Sequence, residues 1–279
     1  MSEEKLPIEM LENKAKEVRR LILQTTHRAG MGHTGGSLSE VEILVALYFR
    51  VMRNIEAIRP GKADRDRFIL SKGHASPGYY STLALRGYFP LSLLDTFDEL
   101  GTLLQAHPDM HKTPGVDMST GSLGQGLSCG IGMALAADAR SGLGNFRTFV
   151  LIGDGELQEG QVWEAILYAG ARALPGLVAI VDSNDVQLAS KTQDAVSLDP
   201  LEDKWRAFGW DVVVVDGHNL SLLVPALEGA RERAATGPVA VVARTVKGKG
   251  VSFMEGRYEW HGKAPNDEEF VRAMAEVGA

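Results

Sequence analysis

The sequence has few of the features that are typical of secreted, disulfide-bonded or membrane-spanning proteins. Cys129 is the sole cysteine among 279 residues, so no internal disulfide can form. No apolar run approaches the length of about eighteen residues that a membrane-spanning helix needs. The opening segment, MSEEKLP, also lacks the basic-then-apolar pattern of a signal peptide. We therefore expect a cytoplasmic protein.

An excess of positive charge is missing as well. The net charge is −7 at pH 7, and the pI near 5.6 argues against a general nucleic-acid surface, although a local basic patch stays possible. Hydrophobic residues make up 44% and charged residues 23%, which is typical of globular proteins. No internal repeat or interdomain linker is visible. We predict a single domain over residues 1–279.

Apolar runs of strand length alternate with helical patterns along the chain. The predicted strands are 67–70, 149–152, 177–181, 210–215 and 239–243. The predicted helices are 8–28, 40–52, 75–86, 124–139, 162–173, 200–208 and 220–235, and one or two helical turns are predicted within 92–100. Glycine and proline predict loops at 29–37 and 104–119. The alternation predicts an α/β fold, with a parallel sheet covered by helices on both faces.

Two polar residues follow neighbouring strand-like runs of one βαβ unit. Asp154 lies in the turn 153–155 after the first run, and Asn184 follows the second. A right-handed crossover brings both strand ends to one edge of the sheet, where ligands bind in open parallel sheets. Carboxylate and amide oxygens suit Mg²⁺ or Ca²⁺, and the helix after Gly160 directs free amides to the same place. The pattern predicts a metal–diphosphate site.

A dinucleotide-binding turn is the competing interpretation of this segment. Asp182, at the end of the second run, resembles the ribose-binding acid of dinucleotide folds. The string GDGELQEG, however, does not fit G-x-G-x-x-G. Its acids Asp154, Glu156 and Glu159 would repel a bare pyrophosphate unless a cation lay between them. The metal–diphosphate interpretation is therefore favoured over a dinucleotide turn or a solvated loop.

Four of the seven histidines lie in loops rich in glycine or proline, namely His33, His74, His107 and His261. Each one alone is more typical of a solvated or capping side chain. Their common position after strand or helix ends would bring them to the same sheet edge, where they could hold phosphate and polarise hydroxyl or carbonyl groups. The remaining three are interpreted as structural or solvent-exposed: His27, His111 and His218.

Two glycine-rich segments have two interpretations each. Segment 119–126, STGSLGQG, runs into a helix of small residues, so its amides could face an anion, or the small residues could serve helix packing. The VKGKG segment, with Lys247 and Lys249, resembles a basic loop, but a solvated surface strand end explains it equally well.

Taken in order, these motifs resemble the N-terminal half of transketolase, the diphosphate-binding domain of thiamine diphosphate enzymes. The resemblance covers nearly the whole chain, from the Gly-His loop at His33 through SKGHAS, HPD, TGSLGQG and GDGELQEGQVWEA to KGKGVSFMEGRYEWHGKAP. It implies a transketolase-type transferase that uses thiamine diphosphate and Mg²⁺ (or Ca²⁺) and moves a two-carbon ketol unit from a ketose to an aldose.

The resemblance also implies roles for individual positions. The implied metal ligands are Asp154, Asn184 and the main-chain carbonyl of Val186. The implied cofactor-binding residues are His74, Gly121, Ser122, Leu123, Gly155, Glu159, Asn184 and His261. Among these, Glu159 matches a glutamate at the subunit interface that is implicated in communication between cofactors. The implied catalytic residues, which face the sugar, are His33, His107 and His261.

One part of the family's site has no counterpart in this sequence. The glutamate that touches the aminopyrimidine, and the side chains that grip the sugar phosphate, belong to a second domain, whereas this chain ends at Ala279. The resemblance implies a split enzyme with a separate C-terminal transketolase subunit, expected as α2β2, and a chain that is inactive alone. The alternatives are a deoxyxylulose-phosphate synthase-like carboligase subunit, which begins by decarboxylating pyruvate, and a non-catalytic nucleotide-binding subunit.

The sequence departs from the family pattern at two places. Ala106 stands where the family commonly has glycine, and Ala189-Ser190 replaces the usual Asp-Gly after the metal loop. We expect the second change to bear on the loop that carries Val186. Neither change removes a side chain implied in metal binding.

Overall fold

The central element is a five-stranded sheet. The computed structural model describes residues 5–137 and 146–278. Its strands are β1 Arg67–Leu70, β2 Thr148–Gly153, β3 Leu177–Ser183, β4 Asp211–Asp216 and β5 Val239–Arg244. All neighbours pair in parallel, in the order β1-β2-β3-β5-β4. The predicted α/β fold with a parallel sheet is confirmed.

Ten α-helices surround the sheet within the described residues. They are α1 Ile8–Ala29, α2 Thr34–Ser39, α3 Val41–Ala46, α4 Ser76–Leu85, α5 Gln125–Ala137, α6 Gly160–Ala171, α7 Thr192–Ala195, α8 Leu201–Ala207, α9 Leu220–Arg233 and α10 Asp267–Glu276. A π-helical turn forms at Leu47–Val51, and 3₁₀ turns form at Gly73–Ala75, Leu91–Thr96, Glu156–Gln158 and Tyr258–Trp260. None of the described helices has the length and apolar character needed to cross a membrane.

Both faces of the inner strands are buried, whereas the edge strand β4 is partly exposed. Successive side chains of β2 point to opposite sides, so Phe149 and Leu151 enter the core formed with α1, α3, α4 and α9. Val150 and Ile152 enter the other core, formed with α5, α6 and α8. A parallel strand that is buried on both faces is a nearly continuous apolar run, which Phe149 to Ile152 illustrates.

Most predicted elements agree with the structure to within two residues at each described end. The helix predicted at 124–139 begins at Gln125, and its last two positions lie outside the described residues. The helix predicted at 40–52 is α3 followed by the π-helical turn, and the helical turns predicted within 92–100 are the 3₁₀ helix Leu91–Thr96. Helix α10 was not predicted, although Asn266 and Glu269 form a capping box there.

The prediction of a loop at 29–37 was wrong in its second half, because α2 begins at Thr34. Glycine indicated a loop in the sequence, but Gly35 lies in this buried helix and allows a close approach of two backbones. A Cβ on Gly35 would lie 2.7 Å from the carbonyl oxygen of Trp260. The glycine is therefore a packing requirement rather than a sign of an irregular segment.

The carboxyl ends of four adjacent strands lead into the segments that carry the candidate site. Lys72 and the turn Gly73–Ala75 follow β1, and Asp154 follows β2. Asn184 follows β3, and Lys247 follows β5. Because all strands are parallel, these segments meet at one edge of the sheet, as predicted for a ligand site.

Candidate metal–diphosphate site

Asp154 is a buried carboxylate with no cationic side chain bonded to it in the described structure. It is 5% exposed. Backbone N–H groups of Gly155 and Asp185 donate to its two oxygens at 2.7 and 2.5 Å. Burial, and then the negative charge of Asp182, raises the pKa of Asp154 to about 7 despite these hydrogen bonds. The ionised form of Asp154 would be stabilised by an added cation.

The segment after β3 supplies further oxygen atoms beside Asp154. The side-chain Oδ1 of Asn184 accepts a hydrogen bond from the Val186 N–H at 3.1 Å. The carbonyl oxygen of Val186 accepts one from the Lys247 ammonium at 2.9 Å. Asp154, Asn184 and Val186 all line one cavity of about 270 Å³. We call these three residues the metal–diphosphate site.

The turn that follows this segment keeps Val186 in place. Asp185 adopts a left-handed conformation (φ 62°), and its carbonyl accepts a hydrogen bond from Thr192 N–H at 3.0 Å. Gln187 N–H donates to the carbonyl oxygen of Ser190 at 3.0 Å, and Val186 pairs with Lys191 in an antiparallel bridge. The Ala189-Ser190 departure is therefore accommodated in a hydrogen-bonded turn.

The residues fit a metal ion that shares its coordination with a diphosphate. Within residues 5–137 and 146–278, no three His, Cys, Asp or Glu side chains are grouped to hold a metal by themselves. The donor set here contains one buried carboxylate, one amide oxygen and one carbonyl oxygen, which leaves positions for phosphate oxygens. Mg²⁺ commonly binds proteins in this way, through one or two carboxylates together with the phosphates of a ligand.

Three histidines cluster at this cavity, of which His74 and His261 line it. The rings of His33, His74 and His261 lie with centroids 5.0 to 5.3 Å apart, and we call them the histidine cluster. Burial, reinforced by neighbouring cationic groups, lowers the pKa of His33 to about 4 and that of His261 to about 3. Burial also lowers the pKa of His74 well below its usual value. All three imidazoles are therefore neutral at pH 7 and can both donate and accept hydrogen bonds.

His107 makes no ring contact with this cluster among the described residues, although its charge helps to lower the pKa of His33. Its side chain is exposed, and it packs against Gly121, where a Cβ would lie 2.9 Å from the ring. Gly121 has φ +134°, a conformation that favours glycine. Of the other residues predicted to bind the cofactor, Leu123 lines the cavity, whereas Ser122 and Glu159 are exposed and do not. Glu159 lies beside Gly124 at the start of α6.

The lowered histidine pKa values lead to a stability prediction. Between pH 6.5 and about 4 the unfolded chain binds protons that the folded histidine cluster does not, so stability is lost as the pH falls through this range. We expect the loss to be on the order of 1 kcal/mol per histidine after solvent screening. Urea denaturation across this pH range measures it. A His33→Gln/His261→Gln double variant should show a shallower dependence, and an unchanged slope would contradict the explanation.

Sequence reasoning missed a buried ionic network beneath the cavity, formed by Glu40, Lys72 and Asp182. The Lys72 ammonium bonds to the Asp182 carboxylate, donates to the Gly36 carbonyl at 3.0 Å and lies 3.2 Å from Glu40 Oε2. That last contact does not have hydrogen-bond geometry, since neither Glu40 carboxyl oxygen has a hydrogen-bond partner among the described residues. Burial, only partly offset by Lys72, raises the pKa of Glu40 to about 8. Lys72 belongs to the SKGHAS motif, but only His74 of that motif was predicted to be a site residue.

Glu156 also has a structural role that was not predicted. The sequence suggested an acid that repels pyrophosphate, but the side chain is buried and its oxygens are bonded. They accept hydrogen bonds from Ser71 Oγ at 2.5 Å, Gly124 N–H at 2.8 Å and Gly153 N–H at 3.2 Å. Burial raises the pKa of Glu156. The carboxyl group therefore ties segment 119–126 to the ends of β1 and β2.

The VKGKG segment contributes one buried lysine to the site. Lys247 is 2% exposed, and its ammonium donates to the Val186 carbonyl and to His261 Nδ1, both at 2.9 Å. Burial, and then the charge of Lys72, lowers the pKa of Lys247 to about 8. Lys249 instead points toward Glu255, at 3.3 Å. Lys247 therefore lines the cavity, whereas Lys249 lies in a partly exposed ion pair.

Comparisons with known proteins agree with this geometry. Residues 11–279 match the family described as transketolase, thiamine diphosphate binding domain. The chain is 48% identical to the SqwG subunit of the 6-deoxy-6-sulfo-D-fructose transketolase of Clostridium sp. (strain MSTE9), over 99% of this chain and 98% of that protein. It is 45% identical to one of the subunits of the apulose-4-phosphate transketolase of Actinobacillus succinogenes, over 98% and 97% of the two chains.

The solved structure of transketolase from Campylobacter jejuni superposes with a TM-score of 0.88 and 32% identity. That match covers 98% of the present chain but 43% of the C. jejuni chain. These relatives are transketolases, which favours the transketolase interpretation over the carboligase and nucleotide-binding alternatives. The family model that matches residues 11–279, and the relatives that are 48% and 45% identical over nearly the whole chain, establish the family. The chain belongs to the transketolase family, in which it corresponds to the thiamine diphosphate-binding N-terminal half.

Proposed function

We propose that this chain is the diphosphate-binding subunit of a two-subunit transketolase that moves a two-carbon ketol unit from a ketose to an aldose. The observation that carries the proposal is the buried Asp154 carboxyl, which shares one cavity with the Val186 carbonyl and with the neutral His74 and His261. Two relatives of the same length are named as subunits of transketolases, which supports a divided enzyme.

Mg²⁺, or Ca²⁺, would be held by Asp154, the Oδ1 of Asn184 and the carbonyl oxygen of Val186, together with the diphosphate. Thiamine diphosphate, when bound, supplies the electron sink for breaking and forming the carbon–carbon bond. The protein contributes position and electrostatics. Lys247 would add a second positive charge beside the Val186 carbonyl, where phosphate oxygens would lie.

The histidines His33, His107 and His261 would polarise the sugar carbonyl and carry protons. Since His261 Nδ1 accepts from the Lys247 ammonium, the ring proton of His261 resides on Nε2. Nε2 can therefore donate a hydrogen bond to a sugar oxygen. His33 is neutral at pH 7 and can accept a hydroxyl proton, which is the state that general base catalysis requires.

The partner would be a C-terminal transketolase subunit, assembled with this chain as α2β2 in the cytoplasm. Segment 119–126 supports this proposal, because Ser122 and Leu123 are exposed and offer a surface for a second chain. The two relatives are named for sugars that carry a sulfo or a phosphate group. By analogy with these two relatives, we propose that the ketose donor of the present enzyme also carries an anionic group.

Reconstitution tests the proposed function. The chain is mixed with a candidate C-terminal subunit, Mg²⁺ and thiamine diphosphate, and ketol transfer from a ketose phosphate to an aldose is assayed. We expect turnover from the mixture and none from this chain alone. Release of CO₂ from pyruvate would indicate the carboligase alternative. Calorimetric binding of ADP or NAD in place of thiamine diphosphate would indicate a nucleotide-binding subunit.

A further inference from the structure

A chain of polar contacts lies behind the segment that carries Lys247. We define this segment, residues 245–250, as the Lys247 loop. His218 Nε2 lies 2.8 Å from the N–H of Val246, and His218 Nδ1 lies 2.9 Å from Glu42 Oε2. A backbone N–H can only donate, so Nε2 accepts and Nδ1 carries the proton that is donated to Glu42. The contacts therefore select one neutral tautomer of His218.

Glu42 in turn forms a two-pronged ion pair with Arg19. The Arg19 Nη1 and Nη2 atoms lie 2.6 and 2.9 Å from the two carboxylate oxygens, and both side chains are less than 10% exposed. Although burial opposes ionisation, the hydrogen bond from His218 and the charge of Arg19 lower the pKa of Glu42 to about 2. Glu42 is thus a permanent anion that orients both of its partners.

Arg19 also reaches the Lys247 loop directly, because its Nε donates to the carbonyl oxygen of Lys249 at 3.0 Å. The network therefore holds the loop on either side of Lys247, at the Val246 N–H and at the Lys249 carbonyl. Between them, Gly248 N–H donates to the Gly35 carbonyl at 2.9 Å. Three contacts over four residues fix the backbone from which the Lys247 side chain extends into the cavity.

We propose that Arg19, Glu42 and His218 are positioning residues, which hold the Lys247 loop so that its ammonium reaches the metal–diphosphate site. The inference rests on the proposed function, since Lys247 affects the cofactor only if that site binds a diphosphate. Residues from α1, α3 and the turn after β4 thus act on the site without touching it. A purely structural ion pair would change stability but would leave the affinity of the site unchanged.

Two variants release the loop at different points. His218→Ala removes the acceptor for the Val246 N–H, and Arg19→Gln removes the charge pair with Glu42. Arg231→Gln is the matched control: it breaks a comparably buried ion pair with Asp66, 3.1 Å long, which joins α9 to the segment before β1. His218→Gln is the rescue variant, because its amide oxygen can accept from the Val246 N–H.

The first readout is calorimetric affinity for thiamine diphosphate in the reconstituted enzyme with saturating Mg²⁺. We expect His218→Ala and Arg19→Gln to weaken binding about tenfold, as is typical when a supporting contact of a metal site is lost. The kcat at saturating cofactor should stay within about twofold. His218→Gln should recover most of the affinity, and Arg231→Gln should retain it.

The second readout needs no cofactor. The rate at which Lys247 is acetylated by acetic anhydride, followed by mass spectrometry, should rise severalfold in His218→Ala and Arg19→Gln but not in Arg231→Gln. Unchanged labelling in both loop variants, or an equal loss of affinity in the control, would overturn the positioning role. If the parent enzyme binds no thiamine diphosphate, the proposed function fails, while the labelling rates still decide whether the network positions Lys247.

Discussion

Replacing Asp154 with alanine is expected to abolish the Mg²⁺-dependent binding of thiamine diphosphate by the reconstituted enzyme. Asp154 is the single carboxylate of the proposed donor set, and two backbone N–H groups hold its oxygens in place. Loss of a supporting contact alone commonly weakens metal binding by roughly 10–100-fold, so loss of the carboxylate should exceed about 100-fold. Calorimetric titration of the cofactor with and without Mg²⁺ measures this loss.

Asp185→Asn is the control for this substitution. Asp185 is the exposed neighbour of the site, and asparagine tolerates its left-handed backbone, so the affinity should be retained. The parent enzyme should also bind Mg²⁺ and cofactor more tightly as the pH rises through about 7, because the protonated Asp154 carboxyl must lose its proton to bind a metal. Native affinity in Asp154→Ala would show that the site has been misassigned.

Replacing Lys72 with methionine is expected to have the largest effect on folding. The substitution preserves much of the side-chain volume but leaves the Asp182 carboxylate buried without its cation. Removal of one partner from a buried ion pair typically costs about 3–5 kcal/mol, since the remaining charge is neither solvated nor paired. Urea denaturation at pH 7 measures the change in the free energy of unfolding.

Two further variants isolate the cause of this destabilisation. Lys14→Met removes a lysine from a surface pair with Glu17 and should change stability by less than about 1 kcal/mol. Adding Asp182→Asn to Lys72→Met should restore part of the lost stability, because the unpaired charge is removed. If Lys72→Met were as stable as the parent, the network of Glu40, Lys72 and Asp182 would not stabilise the structure beneath the cavity.

The sequence was sufficient to predict the sheet and the edge at which the site lies. The inner strands are apolar runs because they are buried on both faces, a property that is visible without coordinates. The positions of Asp154 and Asn184 followed from the right-handed crossover of one βαβ unit. The convergence of His33, His74 and His261 followed from the same edge rule, whereas the exposed position of His107 did not.

The partners of buried charges could not be predicted, because they depend on contacts between residues distant in the sequence. Lys72 and Asp182 are 110 positions apart, and Glu42 and His218 are 176 apart. Glycine was also misleading at Gly35, since the same residue type serves both loops and close helix packing. Lys247 and Lys249 stand two positions apart in one motif, yet only the three-dimensional structure shows which one is buried.

The position of the metal ion tests the central claim most directly. A crystal of the reconstituted enzyme with thiamine diphosphate and Mn²⁺ in place of Mg²⁺ would reveal the ion by its anomalous scattering. We expect one peak within roughly 2.5 Å of Asp154, Asn184 Oδ1 and the Val186 carbonyl oxygen. Thiamine diphosphate bound with no peak between these oxygens, or with its diphosphate outside this cavity, would contradict the account.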